Sequence, residues 1–203
     1  MNAQLKEASS TNFSAIVSTL YHLVSTPEEV YWIASGLYSC IDSCLADPRA
    51  LADCLTKLLA EEPVLLSHLE TSGVLRSLQY TQLWARGFAG IFQPCMLARL
   101  WDKLLGGSSK VLVYVLASAI FRCRVEVMGA ETQEEVLSII SNMKEDRQEV
   151  VMTQALDSWE MDGCPLVPGH CAGEGQGVVE GGGQGQGVAG GLESRLSMEI
   201  KVV

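Results

Sequence analysis

Three histidines, seven cysteines and a few carboxylate pairs are the residues of this chain with the chemistry for catalysis or metal binding. His22, His68 and His170 are far apart, and His22 sits beside apolar Leu20 and Leu23. Their spacing supports no Ser/His/Asp or Cys/His grouping, so helix-surface or packing roles are expected. The cysteines are Cys40, Cys44, Cys54, Cys95, Cys123, Cys164 and Cys171. No CxxC pair occurs among them, and an odd count fits free thiols in a reducing compartment. Cys40 and Cys44 have a ligand-compatible helical spacing, but no nearby second pair completes a site, and buried free thiols are expected there. Glu28-Glu29, Glu61-Glu62 and Glu134-Glu135 stand at expected helix starts, where the macrodipole favours acids without any proton-transfer role. Gly185-Gln-Gly-Val-Ala-Gly190 spells a dinucleotide-type glycine pattern, yet no strand precedes it and no helix follows. No catalytic, cofactor-binding or metal-binding residue is assigned, and no cofactor is expected.

The elements that position these residues are helices. Thr26-Pro-Glu-Glu29, Asp47-Pro48, Glu62-Pro63, Gln93-Pro94, Thr132-Gln-Glu-Glu135 and Asp146-Arg-Gln-Glu149 are start signals, by cap, proline or capping-box glutamate. Apolar residues then recur at helical spacing: Phe13, Ile16, Val17 and Leu20; Leu51, Leu55, Leu58 and Leu59; Trp84, Phe88 and Phe92; Leu97, Leu100, Trp101 and Leu104; Val151, Ala155, Leu156 and Trp159. No alternating segment with hairpin turns occurs, so the class is all-α. Val111 to Phe121 is apolar on every side. At about 17 Å as a helix it is too short for a bilayer core of roughly 30 Å. A strand stays open on its β-prone start, but a buried central helix is preferred, capped by Ser108 or Ser109, with Gly106-Gly107 ending the helix before it.

Composition narrows the rest. With 203 residues, 48% of them hydrophobic, the chain holds one domain with a packed core. A net charge of −10 opposes general nucleic-acid binding. The charge is uneven: residues 71–125 carry seven Lys/Arg against the single acid Asp102. This basic segment is either a docking face or a set of solvated cations facing acidic flanks, and the second reading is preferred. The N-terminus has no apolar h-region of a signal peptide. Residues 171–191 contain ten glycines, which places a disordered tail at 163–203 after a helical domain at 12–162 and a flexible segment at 1–11.

The stretch from Tyr80 to Met128, with "YTQLWARGF", "LARLWDKLLGG" and "VLVYVLASAIF", resembles the second half of a TBC domain. "VYWIASGLY" from Val30, "LLSHLETSG" from Leu65 and "VVMTQALDSWEMDGCPLV" from Val150 extend the likeness over residues 12–167, in particular to the branch of that family found in the tuberous sclerosis complex. The resemblance implies an all-helical fold with Val111–Phe121 at its centre. TBC domains accelerate GTP hydrolysis by Rab-type GTPases with an arginine from an I-x-x-D-x-x-R motif and a glutamine from Y-x-Q. No I-x-x-D-x-x-R occurs in this sequence, and Tyr80-Thr81-Gln82 lies downstream of the usual glutamine position. The resemblance therefore implies a non-catalytic interaction subunit. It would bind the hamartin coiled coil, act indirectly with tuberin on Rheb and so restrain mTOR signalling, in the cytoplasm with recruitment to lysosomal or vesicle surfaces. Two other readings stay open: a GTPase activator for Rab-family proteins, and a truncated, nonfunctional half-domain. Asp102 is expected to act structurally, and the sequence specifies no partner-binding residues.

Overall fold

The computed structural model describes residues 2–75, 81–106 and 109–163. Among them all regular secondary structure is helical: α1 (Asn2–Leu20), α2 (Pro27–Cys44), α3 (Pro48–Leu59), α4 (Pro63–Thr71), α5 (Thr81–Ala85), α6 (Pro94–Leu105), α7 (Val111–Arg122), α8 (Arg124–Met128), α9 (Gln133–Ser141) and α10 (Glu145–Met161). The all-α class is therefore correct. These helices fall within one compact unit, Met1–Cys171. The glycine pattern at 185–190, His170 and the expected tail from residue 164 onward lie outside the described residues. Helix α1 begins at Asn2 and so passes through the segment expected to be a flexible N-terminus, a stretch with the good helix formers Leu5, Lys6, Glu7 and Ala8.

Helix α7 is the hub. Every residue from Val111 to Ala117, with Ala119 and Ile120, is buried, and α3, α6 and α10 pack around it. The strand alternative for this run is excluded: enclosed by helices on its sides, it satisfies its backbone within itself. The neighbours present the expected stripes: Leu51, Leu55 and Leu59 on α3, Leu97, Leu100, Trp101 and Leu104 on α6, and Val151, Ala155, Leu156 and Trp159 on α10 are all buried. Phe13 of α1 meets Tyr38 of α2 edge-on, ring centroids 5.7 Å apart.

Pro27, Pro48, Pro63 and Pro94 open α2, α3, α4 and α6 as expected, and two side-chain caps also form. Asp47 accepts the Ala50 N–H at 3.2 Å, and Thr132 with Glu135 closes a complete capping box on α9. Others differ. The Thr26 hydroxyl donates to the Glu29 carboxylate at 2.5 Å, leaving no side-chain bond to the backbone of α2. Lys144, not Asp146, is the N-cap of α10, because Gln148 is buried and bridges elsewhere: its Nε2 donates to the Met143 carbonyl at 2.9 Å and its Oε1 accepts the Gln93 N–H at 3.2 Å. Helix α7 is preceded by Lys110 in helical conformation rather than by a serine cap, while Ser109 is buried and Ser108 lies outside the described residues.

Candidate interaction surface

The Y-x-Q glutamine belongs to α5, a single helical turn. The spacing of Trp84, Phe88 and Phe92 suggests a continuous helix, but the helix ends after Ala85. The Gly87 N–H bonds the Trp84 carbonyl at 2.8 Å and the Phe88 N–H bonds the Leu83 carbonyl at 2.9 Å, the paired bonds of a Schellman stop. Gly87 (φ +53°) and Phe88 (φ +61°) are both left-handed. The Gly87 carbonyl then accepts the indole N–H of Trp101 at 2.9 Å, and a Cβ on Gly87 would lie 2.8 Å from that same indole nitrogen. Glycine is thus required both by the turn and by the approach of α6. Phe88 and Phe92 still pack together, edge-on at 5.8 Å. Gln82 is exposed on α5, and Tyr80 lies outside the described residues. The motif letters therefore sit beside a packing junction built by Gly87 and Trp101.

The remaining chemistry-bearing residues are taken up by packing. His68 is half-buried, with Nε2 at 3.1 Å from the Val127 carbonyl and 3.0 Å from that of Ala130, so it ties α4 to the end of α8. His22 is exposed. The described cysteines are free, but Cys123 alone among them is buried; Cys40, Cys44 and Cys54 are half-buried and Cys95 is exposed. The expectation of buried thiols at Cys40 and Cys44 needs that correction, because their side of α2 reaches only the end of α6, where the Cys40 thiol lies 3.5 Å from the Leu104 carbonyl. A hydrogen bond from Cys44 lowers the Cys40 thiol to about 7, and the same contact with burial pushes Cys44 up. Among the described residues no three His, Cys, Asp or Glu side chains gather as a metal site.

Two cations of the basic segment, Lys103 and Arg124, meet acids of its flanks, and a third surface pair lies beyond the segment at Arg147. Lys103 reaches Glu160 at 3.2 Å and lies 5.8 Å from the centroid of the Trp159 ring, joining α6 to α10. Arg124 pairs with Glu62 at 2.9 Å, joining α8 to the start of α4. Arg147 pairs with Glu126 at 2.6 Å, which lowers the Glu126 carboxyl. All three lie at the surface, where water and salt screen them and such pairs contribute little to stability. Asp102 is exposed, one position off the apolar face of α6.

What stands out instead is apolar surface on α2. Val30, Ala34, Leu37 and Ile41 face the core. Tyr31 and Trp32 are 58% and 72% exposed and stack edge-on at 5.5 Å, with Ile33 and Tyr21 also exposed. A tryptophan left this open is uncommon, and large aromatics are the residues that anchor protein interfaces. Gly36 and Ser39, one and two turns on, are exposed as well, so the surface beyond Trp32 is low enough for another helix to lie close. The sequence reading placed a helix start at Thr26-Pro-Glu-Glu29 but traced no stripe on α2 and left this face unremarked, although three consecutive large apolar residues at 31–33 were its signal. No helix among the described residues is long and apolar enough to cross a membrane.

Comparison with known proteins agrees with this architecture. Residues 11–128 match the Rab-GTPase-TBC domain family. The chain is 30% identical over 158 residues to TBC1 domain family member 7 of Danio rerio, covering 75% of this chain and 53% of that protein. It is 27% identical over 152 residues to the Homo sapiens protein of the same name, covering 72% and 51%. TBC1 domain family member 19 of Homo sapiens is 31% identical over 145 residues, covering 65% and 27%. The chain thus spans about half the length of the member 7 relatives it matches.

Proposed function

From the premise that this chain belongs to the Rab-GTPase-TBC domain family, we propose that it is a non-catalytic interaction subunit. Its partner in this reading is the coiled coil of hamartin, and through that contact it supports GTPase activation on Rheb by the tuberin-containing tuberous sclerosis complex and negative regulation of mTOR signalling. The observation that carries the reading is the exposed aromatic face of α2, with Tyr31 and Trp32 at its head. A helix of a coiled coil lays an apolar ridge on such a face, and Gly36 and Ser39 let its backbone approach. The likeness to relatives named TBC1 domain family member 7 supports the choice of partner. The absence of I-x-x-D-x-x-R from this sequence supports a role without catalysis by this chain. The site of action in this reading is cytoplasmic, at lysosomal or vesicle surfaces.

Coexpression with the hamartin coiled coil followed by size-exclusion chromatography tests the proposal. A joint peak that separates on Trp32→Ala, with the variant still folded by circular dichroism, is the expected result. Separate peaks for the parent chain would reject hamartin as the partner. The family's general activity provides a second reading, a Rab-directed activator, favoured by the exposure of Gln82. It requires accelerated GTP hydrolysis that is lost on Gln82→Ala.

A further inference from the structure

Helix α7 is enclosed along its length except at Ser118 and Phe121, which are half-buried, and at its terminal Arg122. At Ser118 and Phe121 it forms the floor of an open groove of about 500 Å³ between the end of α3 and the last turns of α10. Leu58, Ala117 and Phe121 supply apolar floor and wall, and Met161, 79% exposed, stands at the lip. The rim is acidic. Glu61, Asp157 and Asp162 line the groove and no lysine, arginine or histidine does. Among the described residues none of these three carboxylates is in an ion pair, whereas Glu62, Glu126 and Glu160 are. Asp162 accepts the Tyr114 hydroxyl at 2.6 Å, which fixes that carboxylate at the groove's edge.

We propose that this groove is a second docking site, separate from the α2 face, and that it takes an amphipathic helix of a partner protein carrying lysine or arginine on its flanks. The apolar floor accepts one ridge of large side chains, and a thioether at the lip adapts to their shape. Three carboxylates outside any ion pair select the flanks: basic side chains gain attraction at both walls, and an acidic helix or an anionic lipid or nucleic-acid surface is repelled. The proposal does not depend on hamartin being the partner at α2.

The test uses the full chain and two fluorescein-labelled helical peptides of about 18 residues, long enough to hold helix. Both carry leucines at i, i+3, i+4 and i+7; one has lysine flanks and the other glutamate flanks. Fluorescence anisotropy is expected to show the lysine peptide binding at least about tenfold more tightly, a difference of the size a few rim charges produce. Glu61→Lys with Asp157→Lys should weaken the lysine peptide by about tenfold or more and favour the glutamate peptide. Both positions are exposed, so the variant's circular dichroism melt should match the parent. The methyl resonance of Met161 should shift on titration of the lysine peptide. Equal affinity for the two peptides, no binding by the lysine peptide up to about 1 mM, indifference to the charge reversals, or an unmoved Met161 signal would each overturn the proposal. Concentration-dependent dimerisation abolished by the same charge reversals would also overturn it, by assigning the groove to a second copy of this chain.

Discussion

Replacing Gly87 by alanine should destabilise the domain far more than one methyl group ordinarily does. The backbone there is left-handed, φ +53°, which costs an L-residue roughly 1–2 kcal/mol. The new Cβ would also lie 2.8 Å from the Trp101 indole nitrogen and 3.0 Å from Ile41 Cδ1, and overpacking of this kind costs about 1–3 kcal/mol. If the indole moves aside, its 2.9 Å bond to the Gly87 carbonyl is lost, at about 1 kcal/mol. The combined loss is about 3–6 kcal/mol, a large part of a domain stability of roughly 5–15 kcal/mol. With a urea slope of about 2 kcal/mol per molar, the midpoint should fall by about 1.5–3 M. Gly36→Ala is the matched control. Gly36 lies within α2, and a Cβ there meets nothing within 4 Å, so alanine should stabilise by about 0.5–1 kcal/mol. Urea unfolding followed by circular dichroism measures both. A Gly87→Ala midpoint within about 0.3 M of the parent, or equal losses at the two glycines, would refute the junction as described.

Thr132→Ala opens the capping box of α9 and should cost about 1 kcal/mol in the same urea assay. Tyr114→Phe tests the bond to Asp162 through pH. Burial and the Asp162 carboxylate raise the Tyr114 phenol above its ordinary value, so its contribution is fully present below about pH 10 and is lost as pH rises toward the folded value, where the unfolded chain releases the proton first. The parent should therefore lose stability above pH 10 more steeply than Tyr114→Phe, as read from urea midpoints at stepped pH. Gln82→Ala should leave GTP hydrolysis by a panel of Rab proteins unchanged from that with the parent chain, measured in single-turnover assays.

Much of the fold was legible because burial was written into local pattern. The Val111–Phe121 run is too short for a membrane and too long for a common strand, and it became the enclosed helix that those two limits leave. Asp47 and Thr132 cap where short polar side chains precede helical periodicity. The failures are places where a side chain had a better offer from tertiary structure. Gln148 bridges Met143 and Gln93 and moves the start of α10 back to Glu145, and Thr26 prefers a nearby carboxylate to the backbone. Trp84, Phe88 and Phe92 are spaced as a helix, but Gly87 ends that helix and a turn carries the two phenylalanines into the core. Surfaces were the least legible part. The exposure of Trp32 depends on which helices lie beside α2, and the groove at Phe121 depends on three elements distant in sequence, neither of which periodicity reports.

Hydrogen exchange of the full chain, alone and with the hamartin coiled coil, tests the interaction reading most directly. The account predicts slowed amide exchange across residues 28–40 of α2 in the complex, with this protection absent in Trp32→Ala. Complex formation that leaves α2 exchange unchanged, or no complex, would contradict it.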